Sequence, residues 1–239
     1  MNVFGHSGDC GDLCALLPVI RHLGGGELVL SPHIGDGGPR EPMTEARARF
    51  LLPVIAPQSY ITAARYESER VTPITHDFSH FRVGNKHQRA DSLVTWHAQH
   101  FKLNAAEIDL SPWLTVTPSP VTRGKVILAR SLRYHNPAFL WKRVMAAFRH
   151  KTVFIGLPEE HKAFLEAHGF FVPHLPVKDA LEMAELIAGS DLFVGNQSFP
   201  CWLALAMGHT LIQESFPPVP NSRILRPNAK FVLNNFSIA

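Results

Sequence analysis

The stretch Leu192-Phe-Val-Gly-Asn-Gln-Ser-Phe-Pro-Cys-Trp-Leu-Ala-Leu-Ala-Met-Gly208 decides the fold. Leu192-Phe193-Val194 is short and wholly apolar, which suits a strand buried on both faces of a parallel sheet. Gly195-Asn196-Gln197-Ser198 then breaks the pattern with residues that favour turns and helix caps. From Pro200 the spacing is helical, with Trp202, Leu203, Ala206 and Met207 on one face and Gly208 as a stop. Strand, polar turn and helix start together form half of a βαβ unit. The helix N-terminus presents backbone N–H groups and a partial positive charge beyond the strand's end, a position that suits phosphate. Any α/β protein also contains ordinary βα turns of this kind, so the stretch alone speaks for the fold more than for a ligand.

The chain opens on the same alternation. Met1–Phe4 is a minimal strand and Leu13–Leu23 is helical (Leu13, Leu16, Leu17, Ile20, Leu23). Gly24-Gly25-Gly26 ends that helix, and Glu27–Leu30 is the next strand. The loop between the first strand and helix is glycine-rich. It is neither G-x-G-x-x-G nor a P-loop, which argues against a nicotinamide-dependent Rossmann enzyme. Ser7, Gly8 and Gly11 let the backbone approach a ligand there. Asp9 and Asp12 supply two carboxylates, each either a helix cap or a general base at the strand's carboxyl end.

Residues 31–75 are rich in Pro, Gly and Arg and less regular. The spacing predicts helices over Pro42–Leu52 and Asp91–Leu103, and a strand over Tyr60–Ala64. The mixed-charge run Arg65–Arg70 reads as a solvated face. His76, Asp77 and His80 do not form a recognised ligand set, and His97 and His100 lack a third partner, so both groups read as structural. Ser111–Gly124 is Pro-, Ser- and Thr-rich without periodicity and reads as a linker, which puts a domain boundary near residue 120 and divides the chain into 1–120 and 121–239.

The second half restarts the pattern: strand Val126–Ala129, helix Pro137–Phe148, strand Thr152–Ile155, helix Glu159–His168, strand Phe170–Val172, and helix Ala180–Ala188 capped by Asp179. The opening stretch follows, and a short strand ends near Ile212. Arg130 and Arg133 stand just past a strand's carboxyl end, where open parallel sheets hold their ligands, and two guanidiniums there suit a phosphate. The alternative is a surface pair that holds an acidic neighbour. Glu214 follows the last strand, placed either to bond a ribose or to face solvent.

Composition narrows the class. Of 239 residues, 46% are hydrophobic and 18% charged, so the chain can build a sizeable core and is not disordered. A net charge of +3 tolerates an anionic ligand but lacks a nucleic-acid footprint, so nucleic acid is only weakly supported as an acceptor. Three cysteines (Cys10, Cys14 and Cys201) at no zinc spacing fit a reducing compartment. No apolar run reaches membrane-spanning length and no signal peptide precedes the first strand, so a cytoplasmic protein is expected.

Gly11-Asp12 with Leu17-Pro18-Val19-Ile20 and Leu23 resembles the first βα turn of the ADP-heptose:lipopolysaccharide heptosyltransferase family, in which a Gly-Asp pair precedes a helix carrying a proline. The run from Asp179 to Asn196, continuing into Leu203–Gly208, resembles that family's donor-site signature. Gln197-Ser198-Phe199 stands where the family has Asp-Thr-Gly, and Trp202 where it has His. The resemblance implies a GT-B-like α/β architecture: two small Rossmann-like domains with mainly parallel sheets facing a central cleft, acceptor side first and donor side second. It implies an inverting glycosyltransferase that uses a nucleotide-sugar donor. Asp12 would be the base and Asp9 the second choice. Arg130 and Arg133 would hold the leaving diphosphate, joined by Asn196, Gln197 and Ser198 at the helix N-terminus. The sequence itself calls for no metal and no other cofactor. A non-catalytic nucleotide or nucleotide-sugar binder on the same scaffold is the alternative.

Overall fold

The chain divides into two compact units, Met1–Thr115 with Asp179–Leu181, and Val116–Lys178 with Glu182–Ala239. The computed structural model describes residues 1–32, 43–83 and 92–233. Pro42 and Asp91, expected as helix starts, lie outside the described residues.

In the first unit the chain runs β1 (Val3–His6), α1 (Cys10–His22), β2 (Gly26–Leu30), α2 (Glu45–Ile55), β3 (Ile61–Tyr66), β4 (His76–Asp77) and α3 (Leu93–His100). The sheet order is β3-β2-β1-β4, and every pairing is parallel. Phe4, Leu28, Val29 and Leu30 are fully buried, as suits strands of a parallel sheet. Helix α1 buries Leu13, Leu16, Leu17 and Ile20. It carries Pro18 in its interior, which has no N–H to give the Cys14 carbonyl one turn back. Trp113 fills that vacancy, donating its indole N–H to the Cys14 oxygen at 3.1 Å, both groups buried. Gly25 has φ +75°, and a Cβ there would collide with the Tyr60 carbonyl, so only glycine turns the chain from α1 into β2.

Strand β4 has no signature in the sequence because it is two residues long. Pairing with β1 creates it, through Phe4 opposite His76 and Gly5 opposite Asp77. Its flanks are tied by Thr75 N–H to Val3 O at 2.9 Å and Phe78 N–H to Gly5 O at 2.8 Å.

The second unit runs β5 (Val126–Ala129), α4 (Trp141–Phe148), β6 (Thr152–Phe154), α5 (Pro158–His168), α6 (Ala180–Gly189), β7 (Leu192–Asn196), α7 (Phe199–Ala206), β8 (Leu211–Glu214) and β9 (Ala229–Val232). The strand order β6-β5-β7-β8-β9 is again parallel throughout. Val126, Leu128, Trp141, Phe154, Phe164 and Val194 form its core. Helix α7 is buried from Cys201 to Ala206, so its sequence is apolar on every face.

Two expectations are corrected here, and one strand is added. Helix α4 begins at Trp141 rather than Pro137. Buried Asn136 donates its side-chain amide to the carbonyls of Ser215, Val232 and Leu233 at 2.9–3.0 Å and accepts from Ala138 N–H, which holds the intervening residues in a turn. Phe170–Val172 is not a strand: Phe154 instead pairs with the residues just after it, from Pro173 O to Leu175 N–H. Strand β9, which the sequence did not suggest, closes the sheet beside β8.

Candidate functional site

Two constellations gather at the carboxyl ends of the parallel strands, one in each unit. In the first, β1 ends on His6, and Ser7, Gly8 and Asp9 lead into α1, where Asp9 is the N-cap, Gly11 is the second residue and Asp12 the third. Asp9 occupies the cap position without a side-chain cap bond. Its carboxylate is about one quarter exposed and lies 3.9 Å from Arg47. Asp12 is buried, and the Arg82 guanidinium grips both its oxygens, Nε to Oδ2 at 3.1 Å and Nη2 to Oδ1. Arg82 lies over the rings of Phe81 and Trp96, at 4.9 and 5.6 Å. Gly8 is obligatory, since a Cβ would sit 2.7 Å from His6 and 3.1 Å from the Asp12 carboxylate.

Two histidines underlie this turn. The Gly8 N–H donates to His6 Nδ1 at 3.0 Å, so the His6 proton sits on Nε2. His97 Nε2 donates to the Asp12 carbonyl at 3.0 Å, so its Nδ1 is a bare lone pair. Among the described residues, neither His6 Nε2 nor His97 Nδ1 has a hydrogen-bond partner. Burial holds both rings neutral, pushing His6 down to about 4 and His97 well below its ordinary value. Phe81 stacks on His97 at 3.8 Å. His100 donates to the Asp77 carbonyl, so this helix face packs against the protein.

In the second unit, parallel register sets Ala129 opposite Gly195 and Asn196 opposite Glu214. The ends of β5, β7 and β8 therefore lie side by side. A Cβ at Gly195 would come within 2.6 Å of the Ala129 carbonyl, so glycine permits the close approach. Glu214 is wholly buried and accepts four hydrogen bonds: Arg130 Nε at 2.7 Å, Arg130 Nη2 at 2.9 Å, the Asn136 N–H at 2.8 Å and the Trp141 indole at 3.1 Å. Each carboxylate oxygen has two donors, so its acceptor capacity is filled. Arg130 is thereby committed to Glu214 through two nitrogens, while Arg133 is exposed, its guanidinium 5.5 Å from the Tyr134 ring.

Asn196 pins the loop between them. Its Oδ1 accepts from Ser131 N–H at 3.0 Å, and its Nδ2 donates to the Ser131 hydroxyl and to the Arg133 carbonyl. Tyr134 in the same loop has φ +59°, a strained setting for a bulky residue. Gln197 is turned toward a different segment, donating to Val219 O and accepting from Phe216 N–H. Ser198 is the N-cap of α7 without a side-chain cap bond, and its hydroxyl and N–H turn back to Asn196 O. The structure thus brings Arg130, Asn196 and Glu214 together and leaves Arg133 as the outward cation. Sequence reasoning missed His6, Arg82 and Asn136, and read His97 as structural without its contact to the Asp12 turn. Only His6, as the last residue of the first strand, carried a positional hint; Arg82 reaches Asp12 across 70 residues.

No family model matches the chain, and no curated protein matches it. Solved structures do. A glycosyl transferase family 9 protein from Veillonella parvula DSM 2008 superposes with a TM-score of 0.61 at 13% identity, over 96% of this chain and 84% of that one. ADP-heptose LPS heptosyltransferase II of E. coli gives 0.61 at 15% identity, over 97% and 90%. The fold is that of the heptosyltransferases. TibC, an iron-containing dodecameric glycosyltransferase from enterotoxigenic E. coli H10407, gives 0.58 at 16% identity, and this chain spans only 61% of its length. Among the described residues no group of three or more His, Cys, Asp and Glu could hold a metal ion, and no helix is long and apolar enough to cross a membrane.

Proposed function

We propose that the chain is an inverting glycosyltransferase that moves a sugar from a nucleotide-diphosphate donor to an acceptor hydroxyl. The observation that carries this reading is the Asn196-pinned loop at the ends of β5 and β7, which holds Arg133 outward beside a guanidinium–carboxylate pair. As the bond between the sugar and the diphosphate breaks, charge grows on the leaving group, and cations fixed in place stabilise it without reorganising. Arg133 would meet that charge, with Arg130 behind it. Glu214 we assign to holding Arg130, in place of the ribose contact expected from its position. Asn196 would act by positioning the loop, while Gln197 and Ser198 would shape the entry to α7. Among donors, ADP-linked sugars come first, because TibC has been solved in complex with ADP-D-beta-D-heptose.

In the first unit, Asp12 would accept the proton of the acceptor hydroxyl as its oxygen attacks the sugar. That role requires Arg82 to release one carboxylate oxygen. Asp9, more exposed, is the second candidate. The glycine-rich turn of Ser7, Gly8 and Gly11 would let the acceptor approach.

The experiment is turnover with ADP-, UDP-, GDP-, TDP- and CMP-linked sugars. D12N should lower kcat by ~10²-fold or more while leaving donor affinity unchanged. The same loss in D9N and not in D12N would move the base to Asp9. The burial of Asp12 beneath Arg82 favours a second reading, a nucleotide-sugar binder without catalysis. Donor binding with no turnover of any sugar would select it.

A further inference from the structure

The second unit carries another cavity at the opposite end of its sheet. Arg130 and Arg133 follow the carboxyl end of β5, whereas Lys125 precedes β5, and Arg149 and His150 precede its parallel neighbour β6. Lys125, Lys142, Arg149 and His150 line a cavity of about 960 Å³ together with Phe170 and Phe171. That volume lies within the range of small-molecule sites. No Asp or Glu is among the lining residues.

The charge has a cause in the sequence: between Asp109 and Glu159 the chain has eight Lys and Arg and no acidic residue, while the whole chain is only +3. Lys125, Lys142 and Arg149 form no ion pair among the described residues, and Lys142, Arg149 and His150 are exposed. Uncompensated cations around a concavity favour an anion. The aromatic part needs its own explanation. Phe171 is 78% exposed at the wall of this cavity, and the Phe170 ring lies nearly parallel to His168, at 5.9 Å and 11°. His168 also lines the cavity, and its buried Nε2 has no hydrogen-bond partner among the described residues. Phosphate alone gives Phe171 nothing to cover it, whereas a planar base beside a phosphate covers the ring and meets the cations.

We propose that this cavity binds a phosphate group carrying a planar base, presented either by a free mononucleotide or by a single-stranded nucleic acid. The site is separate from the proposed donor site and does not depend on transferase activity.

Calorimetric titrations at low salt with AMP, with the octamer dT8 and with inorganic phosphate test this. The expected result is a binding component that K142E/R149E weakens at least 10-fold, that F171A weakens about 10-fold, and that R133E leaves in place. The milder pair K142A/R149A, with a melting curve, guards against a fold defect in the charge reversal. Tighter binding of dT8 than of AMP identifies a strand as the source, and equal binding identifies the free nucleotide; both support the site. The proposal is overturned if AMP and dT8 bind no better than phosphate, if the Lys142 and Arg149 variants bind as the wild type does, or if R133E removes all binding. Absence of sugar transfer would refute the transferase reading and leave this site untouched.

Discussion

Replacing Glu214 by Gln separates its two possible roles, a clamp on Arg130 or a ribose ligand. Glu214 is wholly buried and the Arg130 side chain is only 12% exposed, so solvent screens their attraction little. Gln keeps one acceptor oxygen. Two of the four donors would then face an amide NH2 instead of an oxygen, and at least one of the two Arg130 bonds is lost. Charge-assisted hydrogen bonds contribute ~1.5–3 kcal/mol each, and removing one partner of a buried ion pair costs about 3–5 kcal/mol. We therefore expect E214Q to lose roughly 3–5 kcal/mol, a large share of the ~5–15 kcal/mol that holds a typical fold. Urea unfolding followed by tryptophan fluorescence measures it, with Trp141 reporting from the site itself. R130Q/E214Q should recover part of the loss, because the cation stranded by the single change is gone. A cost below ~1 kcal/mol in E214Q, together with a 10-fold or greater loss of nucleotide-sugar affinity, would refute the clamp and restore the ribose contact.

Acidification tests the buried histidines. His6 is held neutral down to about 4, so below its unfolded value of 6.5 the unfolded chain binds the proton that the folded chain refuses. Stability should be full above about pH 6.5 and fall as pH drops toward 4, by ~3 kcal/mol from His6 and further from His97, read from urea midpoints across that window. H6N should flatten the profile; an unchanged slope would mean that His6 is not the group responsible. N196A should release the 131–133 loop, costing about 2 kcal/mol and weakening donor binding more than 10-fold, and intact donor affinity would remove Asn196 from the positioning role. Finally, W113F should cost ~1–3 kcal/mol by removing the indole bond to the Cys14 carbonyl, and adding P18A should return much of it, because an alanine N–H reaches that oxygen. Equal melting curves for W113F and W113F/P18A would show that the indole bond is not what compensates the helix proline.

Local sequence determined the alternation of elements. Apolar runs such as Val126–Ala129 and Leu192–Val194 suit buried strands, and Gly24–Gly26 reads as the end of the first helix. The glycine-rich turn after β1 and the arginines after β5 were legible for the same reason: in a parallel sheet, ligand positions lie at strand ends, and a strand's end can be read from its own residues. What these side chains do there was decided by partners distant in the chain. Arg130 became half of a buried pair because β8 brings Glu214 within reach of it across β7, from 84 residues away in the chain. Asp12 acquired Arg82 from 70 residues away, and β4 exists only because β1 offers it an edge. Hydrogen bonding and ion pairing are short-ranged in space yet indifferent to distance along the chain. Sequence alone therefore fixed where the groups stand, and only the packed sheet settled which of them are satisfied within the protein and which face outward.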